Sequence, residues 1–320
     1  MEVAGSYAVT LFLLVTLNFF LPRALPGDPL VSLSDPRSAT YVGDDERRAA
    51  VEAYYGLDRP MVEQYGHYLG GLLTGDLGTS IQTNASVAGL LAERLPWTLL
   101  LVGTGLIAAT VIGILAGIYS GWRRDHPSDK ALFSFFVTLD NIPVFFLGSV
   151  VVYIFAAKLG WFPLSGARTP FSGSWRASRQ VMDVARHLVL PAGLMSLQFA
   201  SFQYLVMRAG MVGELGSDHL WLGRAKGLSE RVLKYRYAAR NALVPAVSVF
   251  ALQAGFAATA TIFVETIFSY PGLGRLMFES VGNRDYPTMQ GVFLLLAAIV
   301  LSANFLADMV HRRLDPRTQA

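Results

Sequence analysis

The chain has 320 residues, of which 53% are hydrophobic and 15% are charged, and its formal net charge at pH 7 is +3. Soluble domains carry about 25% charged residues, so this composition argues against an ordinary soluble enzyme, and the small positive charge forms no basic stripe for nucleic acid. The sequence contains no cysteine, which excludes disulfides, thiolate nucleophiles and thiolate metal sites. The composition is typical of a membrane protein.

Six long runs of the sequence contain almost no charged residue, and each is long enough to cross a membrane as a helix. A helix needs about 20 residues to cross the ~30 Å hydrocarbon core, where charged side chains are costly. Because the runs lack the alternation of barrel strands, they predict an all-α integral membrane protein with six transmembrane helices. The runs are Val3–Pro22, Leu95–Trp122, Ala131–Ala157 (interrupted at Asp140), His187–Met207, Asn241–Val264 and Tyr286–Ala307.

The Lys and Arg residues of the connecting segments predict that the N- and C-termini are both cytoplasmic. Short cytoplasmic loops carry an excess of these residues in membrane proteins. With both ends inside, the inner segments carry 13 of them and the short outer loops 7, when the long segment after the first run is left out. No Lys or Arg precedes the first run, so we expect it to remain as a helix and not to be cleaved as a signal peptide.

The runs divide the chain into predicted parts. Residues 1–24 form the first transmembrane helix, 25–94 an extracytoplasmic cap, 95–310 a five-helix core with a cytoplasmic loop at 209–240, and 311–320 a cytoplasmic tail.

Chain-breaking and capping residues predict two short helices within the cap. Pro26-Gly27-Asp28-Pro29 ends the first span. Asp44-Asp45-Glu46 places acids at the start of a helical pattern that continues through Tyr54. A second pattern begins near Pro60 and repeats apolar and aromatic residues at helical spacing through Leu72. The cap either packs on the helix ends or offers a docking surface to an external partner.

Three glycines, Gly113, Gly117 and Gly121, recur at every fourth position of the second run. Small residues at this spacing let two helix backbones approach closely in a membrane. The pattern predicts a tight helix contact but does not identify the partner helix.

The segment between the fourth and fifth runs is too long for a turn and too polar for a span. It predicts a short helix, a break at Gly227, and a second helix with Ser229 at its N-cap and Glu230 in its first turn. The second helix is basic and runs into the fifth span. A solvated basic loop is one interpretation, but a rigid helix standing off the membrane favours a surface that another protein binds.

Asp140 is the one carboxylate well inside a run, and an ionisable group in a membrane is a functional candidate. Pro143 leaves the carbonyl of Leu139 without its usual helical donor, so the helix is locally weakened there. Pairing within the bundle, or hydration near the membrane surface, is the alternative role for Asp140. The candidate pathway or gate residues are Asp140, Asn141, Gln198, Gln203 and Gln253; for the three glutamines, bonding between helices is the alternative.

No phosphate-binding loop, zinc-protease motif or nucleophile elbow occurs in the sequence. The five histidines are scattered without metal-ligand spacing. We therefore expect no catalytic residue, cofactor or metal in this chain.

Short blocks of characteristic sequence follow one another along nearly the whole chain. They include Leu25-Pro26-Gly27-Asp28-Pro29, Glu93-Arg94-Leu95-Pro96, Gly160-Trp161-Phe162-Pro163, Arg224-Ala225-Lys226-Gly227-Leu228-Ser229 and Val264-Glu265-Thr266-Ile267-Phe268. In series, these blocks resemble the permease subunits of bacterial ABC importers, in the oligopeptide/dipeptide/nickel branch.

The resemblance implies the type I permease fold of ABC importers, in the bacterial inner membrane. It also implies three kinds of partner: a second, related permease, one or two cytoplasmic ATPase subunits that hold ATP and Mg²⁺, and an extracytoplasmic solute-binding protein. The cargo implied is a di- or oligopeptide, with a nickel chelate or another small solute as alternatives. A self-sufficient channel or secondary carrier is the alternative from a different class.

In this family the segment around Gly227 seats in a cleft of the ATPase. Here Trp221-Leu222-Gly223 stands where the family usually has Arg-Thr-Ala, which adds bulk at the first position. The coupling residues implied are Asp218, Trp221, Leu222, Gly223, Arg224, Ala225, Lys226, Gly227, Leu228, Ser229 and Glu230.

Overall fold

The computed structural model describes residues 2–24, 30 and 45–314, and within these ranges the chain is helical with no β-strand. The prediction of an all-α protein is confirmed. The break at Pro26-Gly27-Asp28-Pro29 and the last residues of the tail lie outside the described residues. The helices are α1 (Glu2–Ala24), α2 (Asp45–Tyr54), α3 (Met61–Thr74), α4 (Val87–Trp122), α5 (Pro127–Asn141), α6 (Val144–Val151), α7 (Ala177–Glu214), α8 (Asp218–Ala225), α9 (Glu230–Val232), α10 (Ala239–Ile267), α11 (Leu273–Asn283) and α12 (Tyr286–Leu314).

Two π-helical stretches extend these elements. Val152–Lys158 continues α6, and Leu233–Ala238 joins α9 to α10 without a break. The basic helix that the sequence predicts after Gly227 therefore does run into the fifth span.

Among the described residues, three helices are long and apolar enough to cross a membrane: α4, α7 and the part of α12 over Tyr286–Phe305. A fourth span exists only if α5 and Val144–Lys158 are taken together. The first and fifth predicted runs form α1, of 23 residues, and α10, of 29 residues. The count of six spans and the cytoplasmic location of both ends stay predictions.

The third predicted run is not one straight helix, which corrects the sequence-based expectation. The chain bends by 105° between α5 and the helix Val144–Lys158. Pro143 has no N–H to donate and keeps Ile142 in an extended conformation (φ −85°, ψ 124°). The carbonyl of Leu139 is satisfied instead by the backbone N–H of Ile142 at 3.3 Å. The halves are about 22 Å long, so neither crosses a bilayer alone.

The chain divides into two compact units, Met1–Pro96 with Gly272–Ala298, and Trp97–Pro271 with Ile299–Ala320. In the first unit, the predicted cap helices α2 and α3 are confirmed, and α3 packs on α1. The side-chain amide of Asn18 donates to the hydroxyl of Tyr68 and to the backbone carbonyl of Gln290, both at 2.9 Å. Helix α3 of the cap therefore packs on α1, which agrees with the interpretation that the cap packs on the helix ends.

In the second unit, the glycines of α4 lie against α7. A Cβ atom at Gly113 would come within 2.7 Å of the Cβ of Gln203, and one at Gly117 within 2.7 Å of the Cβ of Met207. At Gly121 it would come within 2.5 Å of the Cβ of Met211. The predicted tight helix contact is confirmed, and its partner is α7.

Candidate functional site

The segment around Gly227 has the helix–break–helix form that the sequence predicts. Helix α8 ends at Ala225, and Gly227 adopts a left-handed conformation with φ +74°. This conformation is strained for most residues and is adopted readily by Gly and, less often, by Asn. Gly227 donates its N–H to Arg224 at 2.9 Å, and Leu228 donates to Gly223 at 3.1 Å, so the last carbonyls of α8 are satisfied. Ser229 occupies the N-cap of α9, although its side chain makes no capping hydrogen bond.

Helix α8 is anchored to the membrane helices by a small apolar cluster. Leu220 of α8 and Leu233 after α9 are fully buried and share this cluster with Met207 and Met211 of α7. Gly223 lets the two helices approach, because a Cβ atom there would come within 2.5 Å of Leu233 Cδ2. Helix α8 is therefore packed against α7 and against the first turns of α10.

The opposite side of this segment is open and unusually apolar for an exposed surface. The side chains of Trp221 and Leu222 are 70% and 56% exposed. Arg224 lies beside them, with its Nε 3.4 Å from an Oε atom of Glu230. Of the predicted coupling residues, Gly223 is buried and Leu228 half-buried, while the exposed ones are Asp218, Trp221, Leu222, Arg224, Ala225, Lys226, Gly227, Ser229 and Glu230. Exposed aromatic and arginine side chains of this kind are typical of binding surfaces.

An ion pair that was not predicted from the sequence joins helices α5 and α7; its carboxylate is buried and its guanidinium is partly exposed. The guanidinium of Arg208 in α7 donates two hydrogen bonds of 2.7 Å to the carboxylate of Asp129 in α5. Ser120 of α4 also donates to Asp129, and its hydroxyl lies 2.6 Å from that of Tyr204. Helices α4, α5 and α7 are therefore tied together by one polar network.

Arg208 is the first charged residue after the fourth uncharged run, and it lies inside α7, which continues to Glu214. Asp129 and Arg208 fall just outside the ends of two uncharged runs, so a count of charge-free residues passes over both. Their signal was available, because the predicted topology puts both of those ends at the same membrane face.

The candidate pathway residues lie on different elements. Asp140 and Asn141 are exposed at the break after α5, where the side-chain amide of Asn141 donates to the carbonyl of Val137 at 2.7 Å. Gln203 donates from α7 to the carbonyl of Ala246 in α10 at 2.9 Å, and Gln253 donates from α10 to that of Phe199 at 2.8 Å. The side-chain oxygens of Gln198, Gln203 and Gln253 are buried and have no hydrogen-bond partner among the described residues. The side-chain nitrogens of Gln203 and Gln253 therefore take part in hydrogen bonds between α7 and α10.

A second buried carboxylate, that of Glu265, lies in the last turn of α10. Glu265 is fully buried, and the hydroxyl of Thr98 in α4 donates to it at 2.7 Å. The ring of Tyr270, just beyond α10, packs edge-on against Trp97 with centroids 6.1 Å apart. Burial, together with the nearby Glu265 carboxylate, raises the pKa of the Tyr270 phenol. These contacts fix the position of this helix end relative to α4.

Comparison with known proteins identifies the family. The sequence profile described as "Binding-protein-dependent transport system inner membrane component" matches residues 109–320. The chain is 36% identical over 309 residues to a Brucella ovis protein that carries a peptide-permease name, with 96% of this chain and 94% of that protein covered. It is 33% identical over 308 residues to the glutathione transport system permease protein GsiC of Escherichia coli K12, with 96% and 94% covered.

Two further comparisons agree with this. The di/tripeptide transport system permease protein DppB of Pseudomonas aeruginosa is 32% identical over 326 residues, with 98% of this chain and 96% of that protein covered. A crystal structure of an amino acid ABC transporter shares the fold with a TM-score of 0.50 at 14% identity, covering 71% of this chain and 94% of that one. This chain belongs to the family of binding-protein-dependent transport system inner membrane components, the permease subunits of ABC importers.

Proposed function

We propose that this chain forms half of the pathway through which an ATP-driven importer moves short peptides across the bacterial inner membrane. Peptide or glutathione transport stands in the names of the relatives that the chain matches along nearly its whole length. A distinct second permease supplies the other half, and a solute-binding protein delivers the peptide. One or two ATPase subunits hold ATP and Mg²⁺, while this chain itself binds no cofactor and catalyses no reaction.

The observation that carries the proposal is the exposed face of α8 with its buried anchor. An ATPase that contacts Trp221 and Leu222 differently in its two nucleotide states shifts the equilibrium between two permease states. The cluster of Leu220, Leu233 and the α7 methionines passes the displacement to α7 and α10. Asp140, Asn141, Gln198, Gln203 and Gln253 remain the candidate pathway or gate residues in this proposal.

We expect Gly227→Pro to lower ATP-driven peptide uptake at least tenfold, because proline fixes φ near −65° and this position requires +74°. The measurement is uptake and ATP hydrolysis by the complete transporter in proteoliposomes. Gly227→Asn is the matched control, since Asn tolerates the left-handed conformation and the space beside the Cβ is open; it should keep uptake within about threefold of the wild type. Unchanged uptake in Gly227→Pro would contradict coupling through this segment.

Liposomes that contain this chain without any ATPase separate the importer from a self-sufficient channel or carrier. The proposal expects no peptide flux in such liposomes, and ATP-dependent flux when the partner subunits and the binding protein are added. Peptide flux through the chain alone would overturn the proposal and favour the channel or carrier.

A further inference from the structure

A cavity of about 410 Å³ lies in the unit that contains the cap helices. This volume falls in the range of small-molecule sites. The cavity is lined by α3 and its flanking turns, by the end of α1 and by the start of α12. It lies in the part of the chain that the sequence predicts to be extracytoplasmic.

Two arginines that line the cavity have no acidic partner among the described residues. Arg23 donates to the side-chain oxygen of Gln64 at 3.0 and 3.2 Å and to the carbonyl of Phe19 at 3.0 Å, all of them neutral acceptors. A nitrogen of Arg59 lies 2.7 Å from the Nε2 atom of His67, which is again not an acid. Among the described residues, neither guanidinium group at this cavity is paired with a carboxylate, and a carboxylate is the natural partner of such a group.

The side-chain amide of Gln290 is a third donor at this cavity. Gln290 lines the wall and is only 8% exposed, and its Nε2 atom has no hydrogen-bond partner in the part of the chain that the structure describes. A buried amide without an acceptor is costly, so a ligand that brings a carbonyl or carboxylate oxygen gains a prepared contact.

The other residues that line the cavity indicate which class of anionic ligand it would bind. Asp76 also lines the cavity; one of its carboxylate oxygens accepts the N–H of Gly78 at 2.9 Å. Leu72, Leu77 and Tyr54 add apolar surface. An isolated phosphate is repelled by the acid and leaves the apolar wall unused. A molecule with a carboxylate, an ammonium and a short hydrocarbon part satisfies all of these groups.

We propose that this cavity is a binding site for a short zwitterionic peptide. The peptide carboxylate pairs with Arg59 and Arg23, its carbonyl accepts from Gln290, and its ammonium faces Asp76. This inference rests on the proposed transport of peptides, and adds to it a holding site in the cap, separate from the candidate pathway residues.

The test is calorimetric titration of the purified full-length chain in lipid nanodiscs with the dipeptide Ala-Ala, its C-terminal amide and inorganic phosphate. We expect Ala-Ala to bind, and its amide to bind about tenfold more weakly because it lacks the carboxylate. Arg59→Gln is expected to weaken Ala-Ala binding by about the same factor. Arg48→Gln is the matched control, because Arg48 lies in α2 paired with Glu52 at 3.0 Å and does not line the cavity; it should bind as the wild type does.

Equal binding of Ala-Ala and its amide, wild-type binding by Arg59→Gln, or phosphate binding as tight as that of Ala-Ala would each overturn the proposal. Arg59 is exposed, so its replacement spares the packed interior; Gln290→Leu is a second variant, expected to weaken binding in the same direction. ATP-driven uptake of Ala-Ala by the complete transporter separates the two proposals. Uptake without binding at the cap removes only the cavity proposal, whereas binding without any peptide uptake removes only the proposed function.

Discussion

Asp129→Asn is expected to lower the free energy of unfolding by about 2 kcal/mol, because the guanidinium of Arg208, which is 23% exposed, loses its carboxylate partner and its buried donors lose an acceptor. The side chain of Asp129 is 1% exposed, and both of its oxygens accept from Arg208 at 2.7 Å. In the variant, the Asn side chain offers only one acceptor oxygen to Arg208. Its NH2 group is a donor, so it cannot accept the second hydrogen bond of the guanidinium. The loss is measured by denaturant or thermal unfolding of the purified chain in detergent.

Asp125→Asn is the matched control for this change, four residues earlier in the chain. Asp125 lies 3.4 Å from Arg124 on the surface, where both side chains are largely exposed. Such a surface pair contributes about 0–1 kcal/mol, so the control should unfold nearly as the wild type does. Equal stability of Asp129→Asn and Asp125→Asn would show that the Asp129–Arg208 pair does not hold α5 to α7.

Gly117→Ala is expected to destabilise the protein by about 1–3 kcal/mol, because the added methyl group overpacks the contact of α4 with α7. Its Cβ atom would lie 2.7 Å from the Cβ of Met207 and 3.0 Å from the backbone nitrogen of Arg208. Neither atom is the end of a flexible side chain, so relief requires the helices to separate. Gly117→Leu should prevent the native contact altogether, as measured by loss of a monodisperse purified chain.

Gly103→Ala makes the same substitution fourteen residues earlier in α4, where a Cβ atom meets nothing within 4 Å. Ala is the better helix former by about 1 kcal/mol, so this control should be neutral or slightly stabilising. If Gly117→Ala is as stable as Gly103→Ala, the glycines of α4 do not set the distance between the helices.

The features predicted well from sequence are those that depend on local chemistry. The break at Gly227 follows from the need for a left-handed residue after a helix, and α2 and α3 follow from capping and spacing. The glycine spacing in α4 predicts a close contact because it requires only that some helix be adjacent. Identifying that helix as α7 requires the tertiary structure.

Three features were not predicted, because each depends on how residues far apart in the chain come together. Pro143 indicates a weakened helix, but the 105° bend depends on how each half packs. The Asp129–Arg208 pair joins residues 79 positions apart. The cavity in the cap combines Arg23 at the end of α1 with Gln290 at the start of α12, and no sequence pattern links the two.

The claim that a partner ATPase moves this chain through α8 is tested most directly by cross-linking in the assembled transporter. The sequence contains no native cysteine, so Trp221→Cys provides a unique attachment point for a photoreactive maleimide. Phe171→Cys is the control, because Phe171 is 98% exposed in a segment predicted to lie on the opposite side of the membrane. Capture of the ATPase from position 221 and not from position 171 is the expected result. Capture from position 171 and not from position 221 would contradict coupling through α8.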